Sequence, residues 1–145
     1  SGFGLHPYFV RTPRSRVTAE CERIWINDDE VMPLRLDPLP TDRNIKEGLM
    51  PEVGFIDNTF TGWNRKAKIE WPEWNAEMVM ESDAPLDFLV IYAPLDEDFF
   101  CVEPVSNVTD AFNMMDRGEA DHGTTVLEAG QSLKSRITFM PKWTG

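Results

Sequence analysis

The stretch Lys66-Ala67-Lys68-Ile69-Glu70-Trp71-Pro72-Glu73-Trp74-Asn75-Ala76-Glu77-Met78 alternates apolar and polar residues on both sides of a Pro-Glu pair. A two-residue alternation is typical of a strand with one buried face, and proline with a polar neighbour favours a turn. We therefore predict an antiparallel hairpin over residues 66–80.

Four other segments have strand patterns. Residues 17–22 and 133–139 also alternate, whereas residues 87–92 and 99–102 are continuous apolar runs. Continuous runs are typical of strands that are covered on both faces. Together these segments predict an all-β fold, an antiparallel β-sandwich, formed by a single domain over residues 1–145.

Two segments without a strand pattern separate these strands. Residues 36–51 contain three prolines and a glycine, and residues 107–123 are rich in Asp, Asn, Met and Gly. We predict that both are long connections, the first with a short helical turn. Long connections in compact all-β domains often carry binding residues.

The composition limits the classes of partner. The 145 residues carry a formal net charge of −11. Such a surface repels nucleic-acid phosphates and anionic lipid, so we expect neither nucleic acid nor a membrane as partner, whereas a neutral sugar is not disfavoured. The sequence contains no run of about 18 apolar residues, so we predict no transmembrane helix, and residues 1–6 lack the pattern of a signal peptide. We therefore expect a cytoplasmic location.

The cysteines and histidines are few and widely separated. Cys21 and Cys101 are the two cysteines, so one disulfide bridge between them is an alternative, but we expect both to be buried free thiols. The sequence has neither a zinc-binding spacing nor a phosphate-cradling glycine loop, so we expect no metal and no cofactor. His122 lies in a polar segment and is expected to be an exposed bystander.

His6 is the first candidate for chemistry. It lies in Gly4-Leu5-His6-Pro7-Tyr8-Phe9, and an imidazole can exchange protons near neutral pH. The alternative interpretation is a histidine that is only hydrogen-bonded at a strand end.

The segment Phe55-Ile56-Asp57-Asn58-Thr59-Phe60-Thr61-Gly62-Trp63 is the second candidate, because it places polar side chains beside aromatic ones. A carbohydrate pocket needs polar groups that fix hydroxyls and aromatic faces that pack on the sugar ring. The alternative is a turn in which Asp57 and Asn58 bond their own backbone while the aromatic side chains fill the core.

Glu103 is the third candidate and follows the apolar run 99–102 directly. Burial there would raise the pKa of the carboxyl group toward the range that suits a general base. The alternative is an exposed glutamate at a strand end.

Taken in order, three segments resemble the second half of the aldose 1-epimerases, the galactose mutarotase family. They are Gly-Leu-His-Pro-Tyr-Phe at 4–9, Asp-Asn-Thr-Phe-Thr-Gly-Trp at 57–63 and Val-Glu-Pro-Val-Ser-Asn at 102–107. Residues 125–132 are similar to that family's closing turn, with Ala129 in place of the usual proline. The resemblance covers nearly all of this chain but about half of a family member, so it implies half of the family's large β-sandwich.

The resemblance also implies roles for these residues. His6 would be the general acid on the ring oxygen, and Glu103 would remove the proton from the C1 hydroxyl, which interconverts the α and β anomers of a free hexose such as galactose or glucose without a cofactor. Both side chains would then lie on opposite sides of one hexose-sized cavity. The substrate-binding residues are expected to be Asp57, Asn58, Phe60, Trp63 and Tyr8.

The first half of the family's proteins, which contributes an arginine and another histidine to the site, is not matched. The resemblance therefore leaves several functions open: a mutarotase, a weak or inactive one, or a non-catalytic carbohydrate-binding or self-associating scaffold protein. Half a sandwich leaves sheet edges and an apolar face uncovered. Either the chain is a fragment of a longer protein, or it pairs with a copy of itself, or it pairs with a separate N-terminal partner. We expect a homodimer or a complementing N-terminal partner.

Overall fold

The computed structural model describes residues 1–143 and 145. Within these residues the chain forms ten strands. They are β1 (Tyr8–Val10), β2 (Arg16–Ala19), β3 (Arg23–Asn27), β4 (Pro33–Pro38), β5 (Ile56–Thr61), β6 (Lys66–Trp71), β7 (Ala76–Ser82), β8 (Phe88–Ala93), β9 (Phe99–Val105) and β10 (Ile137–Trp143).

The strands form two antiparallel sheets, which confirms the predicted all-β sandwich. One sheet has six strands in the order β1-β9-β8-β5-β3-β4, and the other has four in the order β10-β7-β6-β2. Apolar side chains from both sheets share one core, because each strand turns alternate residues inward. The fully buried members include Val17, Ile24, Ile56, Phe60, Ile69, Met80, Leu89, Ile91, Phe100 and Val102.

The hairpin predicted over residues 66–80 is confirmed. β6 pairs with β7 from Lys66 opposite Glu81 to Trp71 opposite Ala76. A 3-10 helix, Pro72–Trp74, makes the turn, and Asn75 closes it in the left-handed conformation at φ 47°. Asparagine tolerates that conformation better than most residues, so the turn agrees with its sequence.

The two apolar runs behave differently. β9 is buried on both faces at Phe100, Cys101 and Val102, as predicted. The same prediction is wrong for β8, where only Leu89, Ile91 and Ala93 are fully buried. The other face of β8 is half-buried, since it lines a cavity described below.

The predicted connections contain short regular elements. Residues 36–51 include the end of β4 and the 3-10 helices Thr41–Arg43 and Ile45–Glu47, and a third, Pro51–Val53, begins at the last residue of this range. Residues 107–123 contain the short helix α1, Ala111–Asp116, whose Ala111 and Met114 pack near Trp25 on the outer face of the six-stranded sheet. Strand β10 begins four residues later than predicted, at Ile137.

Two further expectations concern single features. Cys21 and Cys101 are both free and buried, as expected. No helix among the described residues is long and apolar enough to cross a membrane.

Candidate active site

Backbone pairing brings His6 and Glu103 together. The N-terminal segment runs antiparallel to β9, with Gly4 opposite Val105 and Tyr8 opposite Cys101. Halfway between these pairs, His6 lies opposite Glu103, and the amide of Leu5 donates to the carbonyl of Pro104 at 3.1 Å. Residues opposite each other on an antiparallel pair project to the same face, so both side chains leave the sheet on its outer side.

The two side chains touch. His6 Nε2 lies 3.2 Å from Glu103 Oε1, and the side chains are 50% and 11% exposed. Burial raises the pKa of the Glu103 carboxyl to about 7, and the negative charge of Asp57 adds to the rise. A carboxyl group with such a pKa can both take up and release a proton near neutrality.

Asp57 reaches the same face from β5. It lies opposite Tyr92 on β8, which in turn lies opposite Cys101 on β9. Burial raises the pKa of Asp57, whereas the nearby His6 lowers it. Two acidic side chains and one imidazole thus share a small part of the outer face.

Aromatic rings hold the imidazole. The rings of His6 and Tyr8 stack with centroids 5.0 Å apart, and Tyr92 meets His6 edge-on at 6.3 Å. Tyr92 was not predicted from the sequence, because it lies in the apolar run of β8 and gave no signal beyond that run. Tyr8 was predicted, and its side chain is exposed.

These side chains line a cavity of about 720 Å³. Its walls include His6, Tyr8, Asp57, Tyr92 and Glu103, together with residues 107–109 of the long connection before α1. Pockets of roughly 300–1,000 Å³ accommodate small organic ligands. No lysine or arginine is among the described residues of this lining.

The structure corrects one geometric expectation. His6 and Glu103 share one cavity, as expected, but they lie side by side rather than on opposite sides of it. The pairing of neighbouring strands sets this arrangement, because directly opposite residues on an antiparallel pair have Cβ atoms only about 4.5–5.5 Å apart.

Asn58 lies in an adjoining cavity of about 390 Å³, which Asp57 also lines. Its side chain is buried, donates to the carbonyl of Trp25 at 2.9 Å and accepts from Arg43. The hydrogen bonds of this amide are therefore made to other residues of the protein, and the side chain does not face His6.

Phe60 and Trp63 do not line the candidate site, which corrects the expectation that they contact the substrate. Phe60 is 0% exposed in the core between the sheets. Trp63 is 5% exposed, and its indole donates to the carbonyl of Lys66 at 2.9 Å. Both aromatic residues fill the interior, as the alternative interpretation supposed. The turn that it also supposed is wrong, because residues 56–61 form strand β5 and Asn58 bonds Trp25 and Arg43.

Comparison with known proteins identifies relatives that match nearly all of this chain. The family model for aldose 1-epimerase matches residues 1–140. "Uncharacterized protein YphB" of Escherichia coli K12 is 27% identical over 150 residues, which cover 98% of this chain and 50% of that protein.

Solved structures agree with this match. A crystal structure named "Putative aldose 1-epimerase", from Escherichia coli K12, has a TM-score of 0.85 at 26% identity and covers 98% of this chain and 50% of that one. A galactose mutarotase-like protein from Clostridium acetobutylicum shares the fold, with a TM-score of 0.76 at 19% identity over 97% of this chain and 47% of that one. The chain spans about half the length of each of these relatives.

Proposed function

Because this chain belongs to the aldose 1-epimerase family, we propose that its cavity binds a free hexose such as galactose or glucose and interconverts the α and β anomers. The contact of His6 Nε2 with Glu103 Oε1, which is 3.2 Å long and lies in a cavity large enough for a monosaccharide, carries this proposal. We also propose that the protein is located in the cytoplasm, as predicted from the sequence.

In the proposed reaction, Glu103 removes the proton of the C1 hydroxyl while the bond from C1 to the ring oxygen breaks. The ring oxygen takes a proton from His6, which leaves an open-chain aldehyde, a neutral imidazole and a protonated glutamate. Rotation about the C1–C2 bond presents the other face of the aldehyde. The reverse transfers close the ring as the opposite anomer and return both protons, so proton transfer alone completes the cycle.

The side-by-side geometry is compatible with this chemistry. The C1 hydroxyl and the ring oxygen are bonded to the same carbon, so the base and the acid must both act close to that carbon. A sugar whose C1 faces the pair would exchange the contact of His6 with Glu103 for contacts of each with one sugar oxygen. Asp57, on the same face, would accept hydrogen bonds from other hydroxyls.

Polarimetry tests the proposal. Freshly dissolved α-galactose or α-glucose should reach its equilibrium rotation faster with the protein than in buffer. Glu103→Gln should lower the added rate by about 10²–10⁴-fold, because the base is lost while the shape is kept.

Glu97→Gln, in an exposed turn, is the matched control and should keep the full rate. A wild-type rate equal to that of buffer, or full activity in Glu103→Gln, would contradict the catalytic proposal. Sugar-induced changes in the NMR signals of Asp57 without turnover would instead favour a non-catalytic carbohydrate-binding protein.

We also propose that a partner covers the open side of the sandwich, either a second copy of the chain or a complementing N-terminal segment. β1 and β10 are edge strands of the two sheets and border one apolar groove of about 530 Å³. Tyr8 and Trp143 in its lining are 64% and 76% exposed. Unpaired edges and exposed aromatic side chains together favour association.

Size-exclusion chromatography with light scattering tests the homodimer. The wild-type chain should have twice its 16.6 kDa mass, and Trp143→Glu should shift it toward the monomer. A monomer at every concentration would exclude the homodimer and leave the complementing segment, which should then co-purify with the chain when the two are co-expressed.

A further inference from the structure

One side chain beside His6 and Glu103 has no part in the proposed reaction. Cys101 lies opposite Tyr8 and two residues before Glu103 on β9, so its thiol projects to the same face as the carboxyl group. His6, Cys101 and Glu103 each offer one ligand atom, and all three atoms lie within 4.8 Å of one another. From this geometry we propose that the three side chains form a binding site for a zinc-like divalent cation.

The spacing of the ligand atoms fits such an ion. Zinc binds imidazole nitrogen, thiolate sulfur and carboxylate oxygen at about 2.0–2.3 Å, and a tetrahedral arrangement leaves these atoms roughly 3.3–3.8 Å apart. The 3.2 Å between His6 Nε2 and Glu103 Oε1 is already close to that spacing. The Cys101 sulfur lies within 4.8 Å of the other two ligand atoms, so reaching that spacing requires a shift of at most about 1.5 Å, and solvent supplies the fourth ligand.

The charges around the site favour a cation. Asp57 and Glu103 are both carboxylates of the same cavity, and no lysine or arginine occurs in its described lining. Binding converts the Cys101 thiol to a thiolate and releases its proton to solvent. Thiolate together with imidazole selects zinc-type ions over magnesium or calcium, which prefer oxygen ligands.

The consequence for activity rests on the proposed function. A bound cation would occupy the lone pairs of both His6 and Glu103, so neither could exchange protons with a sugar. The site would therefore act as an inhibitory metal site that competes with the substrate. Binding of the ion itself does not depend on whether the chain is a mutarotase.

Cobalt(II) is the probe for binding, because a cobalt–thiolate bond gives a charge-transfer absorption band in the near ultraviolet. The wild-type protein should develop this band with one equivalent of Co²⁺ and lose it when Zn²⁺ is added. Cys101→Ala should abolish the band. Loss of a residue that only orients a metal ligand typically lowers metal affinity about 10–100-fold. His6 is proposed as a ligand itself, so His6→Ala should lower the affinity at least about tenfold.

Two residues provide matched controls. Cys21 is the other cysteine and is fully buried in the core, so Cys21→Ala should keep the band. His122 is the other histidine, and its Nδ1 accepts from the amide of Thr124, so His122→Asn should keep the affinity. Circular dichroism checks that every variant is folded.

The proposal is overturned if the folded wild-type protein gives no thiolate band, or if the band persists in Cys101→Ala. A separate measurement addresses inhibition: Zn²⁺ should suppress the polarimetric rate, and the chelator EDTA should restore it. An inactive chain that still gives the band would refute the mutarotase and support the metal site, whereas an active chain without the band would do the reverse.

Discussion

Glu103 is the residue on which the proposed chemistry depends. The residue as a whole is 8% exposed, and its neighbours on the strand are apolar. The carboxylate of Asp57 faces the same cavity. Both features disfavour a second negative charge, which is why the pKa of Glu103 rises to about 7. A protonated His6 can offset this cost, since a positive charge 3.2 Å away stabilises the ionised carboxylate.

Asp57→Asn tests the role of the second carboxylate. The substitution keeps the shape but removes the charge, and a hydrogen bond to a charged group contributes about 1.5–3 kcal/mol. We expect the KM for galactose or glucose to rise about 10- to 100-fold in polarimetric assays, with a smaller change in kcat. Asp116→Asn, on the exposed side of α1, should leave the KM unchanged, and an unchanged KM in Asp57→Asn would remove that residue from the substrate site.

Phe60→Ala tests the placement of Phe60 in the core. The side chain is fully buried, and truncation of a buried phenylalanine typically costs about 3–5 kcal/mol. The free energy of unfolding in urea should fall by about that amount. Phe55→Ala provides the comparison, because Phe55 is 45% exposed and should cost far less. Equal losses for the two variants would contradict the assignment.

The candidate site was only partly predictable at this scale. Each of His6, Asp57 and Glu103 alone also suited a structural role, so they were singled out through the order of their three segments, which resembles one family. The structure places all three along one cavity. Phe60 and Trp63 could not be assigned correctly, since an aromatic side chain next to polar residues suits a sugar site and a core equally well. For Phe60 the deciding feature is the side of β5 on which it lies. Trp63 lies beyond the end of that strand, and its indole bonds the carbonyl of Lys66.

At the scale of the elements, the N-terminal segment positions His6. Gly4 packs against β9 so closely that an added Cβ would lie 2.5 Å from Val105 Cγ1 and 3.0 Å from the carbonyl oxygen of Pro104. Gly4→Ala should therefore push the segment away from β9 and separate His6 from Glu103. We expect the polarimetric rate to fall at least about tenfold while the four-stranded sheet is unaffected.

Leu5→Ala is the control in the same segment. Leu5 is 42% exposed, and its backbone amide, which bonds β9, is retained. It should keep most of the activity. A Gly4→Ala variant as active as Leu5→Ala would show that the close packing of Gly4 does not set the position of His6.

The strands differ in how well their sequences predict them. The alternation in β6 and β7 is regular, so the hairpin could be identified with its turn. In β5 the inward positions are Ile56, Asn58 and Phe60, and the polar Asn58 breaks the apolar pattern. Its amide is satisfied by Trp25 and Arg43, which are distant in sequence, so the sequence could not show that Asn58 would be buried.

At the scale of the whole molecule, one core joins the two sheets. Residues such as Phe60 from one sheet and Met80 from the other belong to the same buried cluster. Elements that share a core in a chain of this size usually unfold together. The single domain predicted from the sequence should therefore give one urea transition that coincides in tryptophan fluorescence and far-ultraviolet circular dichroism. Two separate transitions would divide the chain into independent units.

The antiparallel ladder between the N-terminal segment and β9 has a consequence for how this chemistry can be gained or lost. Successive residues of an extended chain point to opposite faces, so odd and even positions of the segment are not interchangeable. A one-residue insertion or deletion between Gly4 and Tyr8 would put Leu5 or Pro7 across from Glu103 and turn the imidazole away. Such a change would keep the strand pairing but move the imidazole to the opposite face of the sheet, so the site would lose its activity. The number of residues in this segment is therefore constrained as strictly as their types.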